Sequence, residues 1–118
     1  DRSKDLVIVS GFNVYPSEVE EAIREVEGVT AAAAIGTDDE RTGEAVVAYV
    51  VATGDPARVR VAVEEHCGRV LARFKQPSRI HVVDELPKTL TGKIQKGRLR
   101  AAERRRTLPL LDGPQEQS

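Results

Sequence analysis

The sequence contains no methionine and no tryptophan, and its aromatic residues are limited to Phe12, Tyr15, Tyr49 and Phe74. So few rings, with no RNP-type motif among them, offer little from which to build a base-stacking surface. Cys67 is the single cysteine, so no internal disulfide can form, which fits a reducing compartment. His66 and His81 lie apart, without the cysteine or carboxylate spacing of a zinc site, and no metal site is expected. No apolar run approaches the length needed to cross a bilayer. Neither charge dominates: 18 Lys and Arg against 19 Asp and Glu give a net charge of −1. Bulk electrostatics therefore call for neither nucleic acid nor an acidic membrane, and any anion-binding role must be local. The expected location is the cytoplasm, in solution or at the membrane periphery.

What is present suits one folded domain. Hydrophobic residues make up 40% and charged residues 31% of 118, enough for a modest core but few residues for a nucleotide-using enzyme with its own substrate pocket. Residues Leu6 to Ser10 and then Val14 and Tyr15, separated by the turn "SGFN", predict a small hairpin. In "PSEVEEAIREVEGV", Ser17 and Glu20 have capping-box spacing, and Val19, Ala22, Ile23 and Val26 repeat at helical intervals up to Gly28. "VTAAAAIG" and "AVVAYVVA" (Ala45 to Ala52) predict two strands that pair antiparallel across the polar loop "TDDERTGE".

Asp55-Pro56 then starts a helix, with Val59, Val63, Cys67, Val70 and Phe74 on one face, running to about Arg73. "RIHVV" (Arg79 to Val83) is a strand, "DELPKTLTGK" a loop, and Ile94 to about Arg106 a basic helix. The expectation is an α+β domain over residues 1–106, with a small, mainly antiparallel sheet, an N-terminal β-hairpin and covering helices. Residues 107–118, rich in proline and polar side chains, read as a disordered tail.

"PKTLTGK", Pro87 to Lys93, ends like a phosphate-binding loop but lacks its first glycine, and Ile94 replaces the Ser or Thr that would hold magnesium. Lys93 is therefore no P-loop lysine. Behind Thr91 and Gly92 it is a mobile point charge suited to a phosphate or carboxylate, in a place where a glycine permits close approach. Spacing alone equally allows a solvated surface lysine.

The two ends of the chain weigh on that choice. "DRSKDLVIVSGFNVYPSEVEEAI" and "ELPKTLTGKIQKGRLR", with "GTDDERTGEAVVAYVV" and "FKQPSRI" between them, resemble the C-terminal domain of the adenylate-forming superfamily over about residues 1–100. That superfamily includes acyl-CoA synthetases, peptide-synthetase adenylation domains and luciferases, and "SGFNVYPSEVE" looks most like fatty-acyl or aryl CoA ligases. The resemblance implies a two-step reaction. A carboxylate attacks the α-phosphate of ATP, with Mg2+, to give acyl-adenylate and pyrophosphate; the C-terminal domain rotates, and the thiol of CoA displaces AMP. Lys93 falls on the adenylation lysine, which would hold carboxylate and α-phosphate oxygens together as negative charge builds. Thr91 and Gly92 form its supporting loop.

By the same resemblance Lys4 falls on the hinge and Arg2 on the arginine near the nucleotide, while Gly11, flanked by Ser10 and Phe12, belongs to the loop lining the pantetheine tunnel. A hairpin glycine needed only for positive φ would serve at Gly11 as well. Lys75, in "FKQP", is a candidate for CoA phosphates. Gly43-Glu44 reads as a structural turn, with Thr37 where relatives carry proline. His66 reads as packing or rim, and Cys67 as core.

The implied partners are the superfamily's larger N-terminal domain, a fatty or aryl carboxylic acid, ATP and CoA, together with a lysine acetyltransferase acting on Lys93, since "PKTLTGK" fits the pattern such enzymes modify in this family. The chain alone is expected to be inactive. Two other readings stay open: a ligase loading a carrier-protein phosphopantetheine, and a non-catalytic α+β module whose basic residues Lys96 to Arg106 bind nucleic acid.

Overall fold

The computed structural model describes residues 6–107. The predicted hairpin forms as β1 (Val7–Val9) and β2 (Phe12–Val14), in antiparallel register with Val9 opposite Phe12. Its turn is Ser10-Gly11, with φ of 51° and 85°. Two consecutive left-handed residues match the right-handed twist of paired strands, and glycine at the second removes the Cβ penalty. The turn is tied to the sheet by the Ser10 N–H, which donates to the Thr42 carbonyl at 2.8 Å.

Helix α1 (Pro16–Arg24) buries Val19, Ala22 and Ile23 as the periodicity requires, but the capping box does not form. Pro16, with its fixed φ, occupies the first turn and moves the start two residues earlier, so Tyr15 in place of Ser17 is the N-cap and makes no side-chain cap bond. Glu20 is thereby released. Its Oε2 accepts the Ala34 N–H at 2.8 Å and pairs with Lys96 Nζ at 2.7 Å.

The two predicted strands are longer than expected. β3 (Val29–Asp39) and β4 (Gly43–Ala52) pair antiparallel with Ala34 opposite Ala48, running through most of the polar segment read as a loop. The turn that remains is closed by Asp39 Oδ1, which accepts the N–H groups of Arg41 and Thr42 at 2.9 and 3.0 Å. Those two backbone bonds hold the Asp39 carboxyl below its ordinary value.

Helix α2 (Pro56–Val70) is capped by Asp55, whose Oδ2 accepts the Arg58 N–H at 3.1 Å. It ends before Arg73, and its buried stripe is Val59, Val63 and Cys67 alone; Val70 is half-exposed. The chain turns extended at Leu71, which is buried, and a short 3-10 turn at Arg73–Lys75 leads to β5 (Arg79–Val82). β5 lies parallel to β4, Ala48 opposite Ile80. The sheet order is β2-β1-β4-β3, with β5 on β4 as well. Helix α3 (Lys96–Thr107) closes the described chain.

Both faces of the sheet are covered, which explains why the strand sequences are apolar throughout instead of alternating. On one face Ala32, Ala34, Val46, Ala48 and Val50 pack with the buried residues of α1 and α2. On the other, Ala33, Ile35, Val47 and Tyr49 meet Leu86 and Leu99. The expected α+β architecture is thus the observed one. Of the tail expected over 107–118, Thr107 is instead the last residue of α3; residues 108–118, like Arg2 and Lys4, lie outside the described residues.

Candidate functional site

The segment carrying Lys93 is an ordered hairpin loop. Lys88 and Ile94 form an antiparallel bridge, the Thr89 N–H donates to the Lys93 carbonyl at 2.8 Å, and the Gly92 N–H donates to the Thr89 carbonyl at 2.9 Å. Thr89 Oγ1 accepts the Lys93 N–H at 3.1 Å and lies 2.9 Å from Thr91 Oγ1. Gly92 has φ of 90°, and a Cβ built there would meet nothing within 4 Å. Its glycine is thus required by backbone conformation at the end of a tight turn. Leu86 is buried behind the loop and Ile94 packs beside it, while Leu90 at the tip and Lys93 are exposed.

Lys93 borders a cleft of about 770 Å3. Lys96, Arg100 and Arg104 of α3 line it too, and Asp38 and Glu44 face them from β3 and β4. Lys96, Arg100 and Arg104 are four residues apart along α3 and so share one side of it, and the loop brings Lys93 to the same cleft. Among the described residues the Lys93 ammonium makes no ion pair, whereas Lys96 is held by Glu20. Glu44 does more than mark a turn: its Oε1 accepts the Ile8 N–H at 2.7 Å and fastens the hairpin to β4.

Ser10 and Phe12 lie elsewhere, in a second cleft of about 540 Å3 that also involves Arg41, Arg73 and Phe74. Phe12 is 53% exposed and stacks on Phe74, ring centroids 4.4 Å apart and planes 22° apart. The two clefts share no lining residue. Lys75 lines neither; it pairs with Glu18 at 3.0 Å, with its ammonium 5.8 Å from the Phe74 ring centroid. His66 contacts Glu25 at 2.7 Å on the rim, and Cys67 is core, its thiol pushed up to about 11 by burial.

One residue that sequence reasoning passed over is Glu103, 1% exposed in a helix otherwise rich in arginine. Its Oε1 accepts the Tyr49 hydroxyl at 2.8 Å, its Oε2 binds the Arg79 guanidinium, and His81 Nε2 is 3.3 Å away. Burial pushes this carboxyl up, but the Tyr49 hydroxyl and the Arg79 charge outweigh it and hold it below the usual value. The available signal was a lone acid four residues after Leu99, on the face that Leu99 turns inward.

Comparison with known proteins agrees with this architecture. Residues 18–93 match the family described as AMP-binding enzyme C-terminal domain. Over 100 residues the chain is 46% identical to an indenyl-substituted propanoyl:CoA ligase of Rhodococcus jostii, covering 85% of this chain and 19% of that protein. It is 43% identical over 102 residues to a 2-succinylbenzoate–CoA ligase of Listeria monocytogenes, covering 85% and 21%. A solved fatty acyl CoA synthetase of Mycobacterium tuberculosis superposes with a TM-score of 0.79 at 44% identity, covering 86% of this chain and 20% of that one. The chain belongs to the AMP-binding enzyme C-terminal domain family. It spans about a fifth of the length of the curated relatives it matches.

Proposed function

We propose that these residues form the C-terminal domain of an ATP-dependent, AMP-forming acyl-CoA ligase, with Lys93 as the adenylation lysine. The observation that carries the reading is the pair of separate clefts, one bordered by Lys93 and the other by Ser10 and Phe12. A domain that serves two half-reactions by rotating needs two such faces. In the first, the exposed Lys93 ammonium would bridge carboxylate and α-phosphate oxygens, offsetting the charge that develops at phosphorus. The turn that ends at Gly92 holds it out from the sheet. In the second, the Ser10-Gly11 turn would border the pantetheine arm, with Lys75 exchanging Glu18 for a CoA phosphate. Arg2 would lie near the nucleotide and Lys4 at the hinge.

ATP and Mg2+ would be held mainly by the larger N-terminal domain. Among the described residues no group of three or more His, Cys, Asp and Glu side chains could hold a metal ion. The acid is a fatty one on this reading, supported by the likeness to a fatty acyl CoA synthetase; the 2-succinylbenzoate relative keeps aryl acids in the test. A lysine acetyltransferase that modified Lys93 would silence the first step by removing its charge. The exposed ammonium, which makes no ion pair among the described residues, is what makes that chemistry accessible.

The test is carboxylate-dependent release of AMP and pyrophosphate by the full-length protein, over a panel of fatty and aryl acids with CoA as acceptor. Turnover with a fatty acid and accumulation of its CoA thioester are expected. Release without thioester would point to a different acceptor, and no release with any acid would overturn the reading.

A further inference from the structure

Helix α3 begins three residues after Lys93, so the placement of α3 bears on that of the lysine. Its sequence gives it little to bury: of the side chains described from Lys96 to Arg105, only Leu99 and Glu103 are buried. Its first turn carries Lys96 and Arg98 and no acid, the reverse of what the helix dipole favours. A helix with one apolar anchor and unfavourable charge at its start is held in place by its polar contacts.

At its start Lys96 pairs with Glu20 of α1 at 2.7 Å, and near its other end three side chains of the sheet meet Glu103. Tyr49 from β4 donates to one carboxylate oxygen, Arg79 from β5 binds the other, and His81 from β5 lies 3.3 Å from the first. The Tyr49 and His81 rings pack with centroids 5.0 Å apart, which helps to orient the Tyr49 hydroxyl. Such a buried carboxylate is directional, unlike an apolar contact that allows a helix to slide or rotate. The path back to the loop is continuous. Leu99 lies one helical turn before Glu103, and Leu99, Tyr49, Leu86 and Ile94 share one packed cluster. The Gln95 N–H donates to the Pro87 carbonyl at 2.8 Å, closing the base of the Lys93 loop.

We propose that Glu103 is a positioning residue for Lys93. By locking the rotation and register of α3 against β4 and β5, it sets where the ammonium points, without touching a substrate. The catalytic half of this claim rests on the function proposed above; the positioning half does not.

Two measurements on the full-length protein separate them, using Glu103→Gln, which keeps the size of the side chain but removes its charge, and Tyr49→Phe, a milder change should the first fail to fold. In amide hydrogen exchange, both variants are expected to speed exchange across 88–95 while leaving α2 (Pro56–Val70) as in wild type. In kinetics, carboxylate-dependent pyrophosphate release is expected to fall by about 10- to 100-fold, with thioester formation from supplied acyl-adenylate unchanged. Equal acceleration of exchange in every segment, or equal loss in both half-reactions, would reduce Glu103 to a general stabiliser and overturn the proposal. Unchanged exchange at 88–95 in Tyr49→Phe and Glu103→Gln would overturn it as well. Wild type that releases no pyrophosphate would sink the functional reading, while the exchange result would still decide the positioning one.

Discussion

At the scale of the residue, two buried ionisable groups set how the domain responds to pH. Among the described residues Cys67 has no partner to stabilise a thiolate, and burial raises its pKa from the ordinary 9.0 to about 11. The unfolded chain therefore loses this proton first as pH rises, so the stability contribution is intact below about pH 9 and is lost between 9 and 11. At pH 8 the thiol should react with an alkylating reagent only through unfolding; a labelling rate equal to that of a free thiol in native buffer would contradict the burial. Glu103 works in the opposite direction. Its folded value lies below the ordinary 4.5, so its contribution is present above 4.5 and lost as pH falls through the folded value. Acid unfolding followed by circular dichroism should therefore be less steep in Glu103→Gln than in wild type, and an unchanged acid limb would argue against a charged Glu103. Both residues also show what sequence can and cannot give. Cys67 was legible as core because its apolar spacing is local. The role of Glu103 was not, because Tyr49 lies 54 residues away and Arg79 24.

At the scale of the element, chain reading succeeded where one rule acted alone and failed where two competed. Asp55-Pro56 started α2 as expected, a cap and a proline agreeing. At α1 the same proline rule displaced the capping box, and Glu20 went instead to the edge of β3 and to Lys96. β3 and β4 ran past their apolar cores because backbone pairing, not hydrophobicity, carries Thr37, Asp38 and Glu44. Close packing of the hairpin on β3 was invisible beforehand. A Cβ at Gly36 would come 2.8 Å from Val7 Cγ2, so Gly36→Ala should destabilise the domain by about 1–3 kcal/mol through overpacking. Adding Val7→Ala makes room, and the double variant should cost less than the sum of the two singles in denaturant unfolding. Strict additivity would mean that the two sites do not touch.

At the scale of the whole molecule, a thin sheet covered on both faces presents two distinct clefts to whatever lies beyond it. The motif ends of the sequence were sufficient to locate the two turns beside which Ser10, Gly11, Phe12 and Lys93 lie, since each turn is set by local residues. The sequence did not show that Lys93 and the hairpin open on different clefts, nor that Lys93 shares its cleft with three cations of α3, because topology alone decides that. The central claim is that Lys93 serves the first half-reaction and not the second. It is tested most directly by Lys93→Ala in the full-length protein, comparing carboxylate-dependent pyrophosphate release with thioester formation from supplied acyl-adenylate. The account predicts that release falls by at least about 10²-fold, as expected for losing a group aimed at developing charge, while thioester formation is retained. Equal pyrophosphate release by variant and wild type would contradict it.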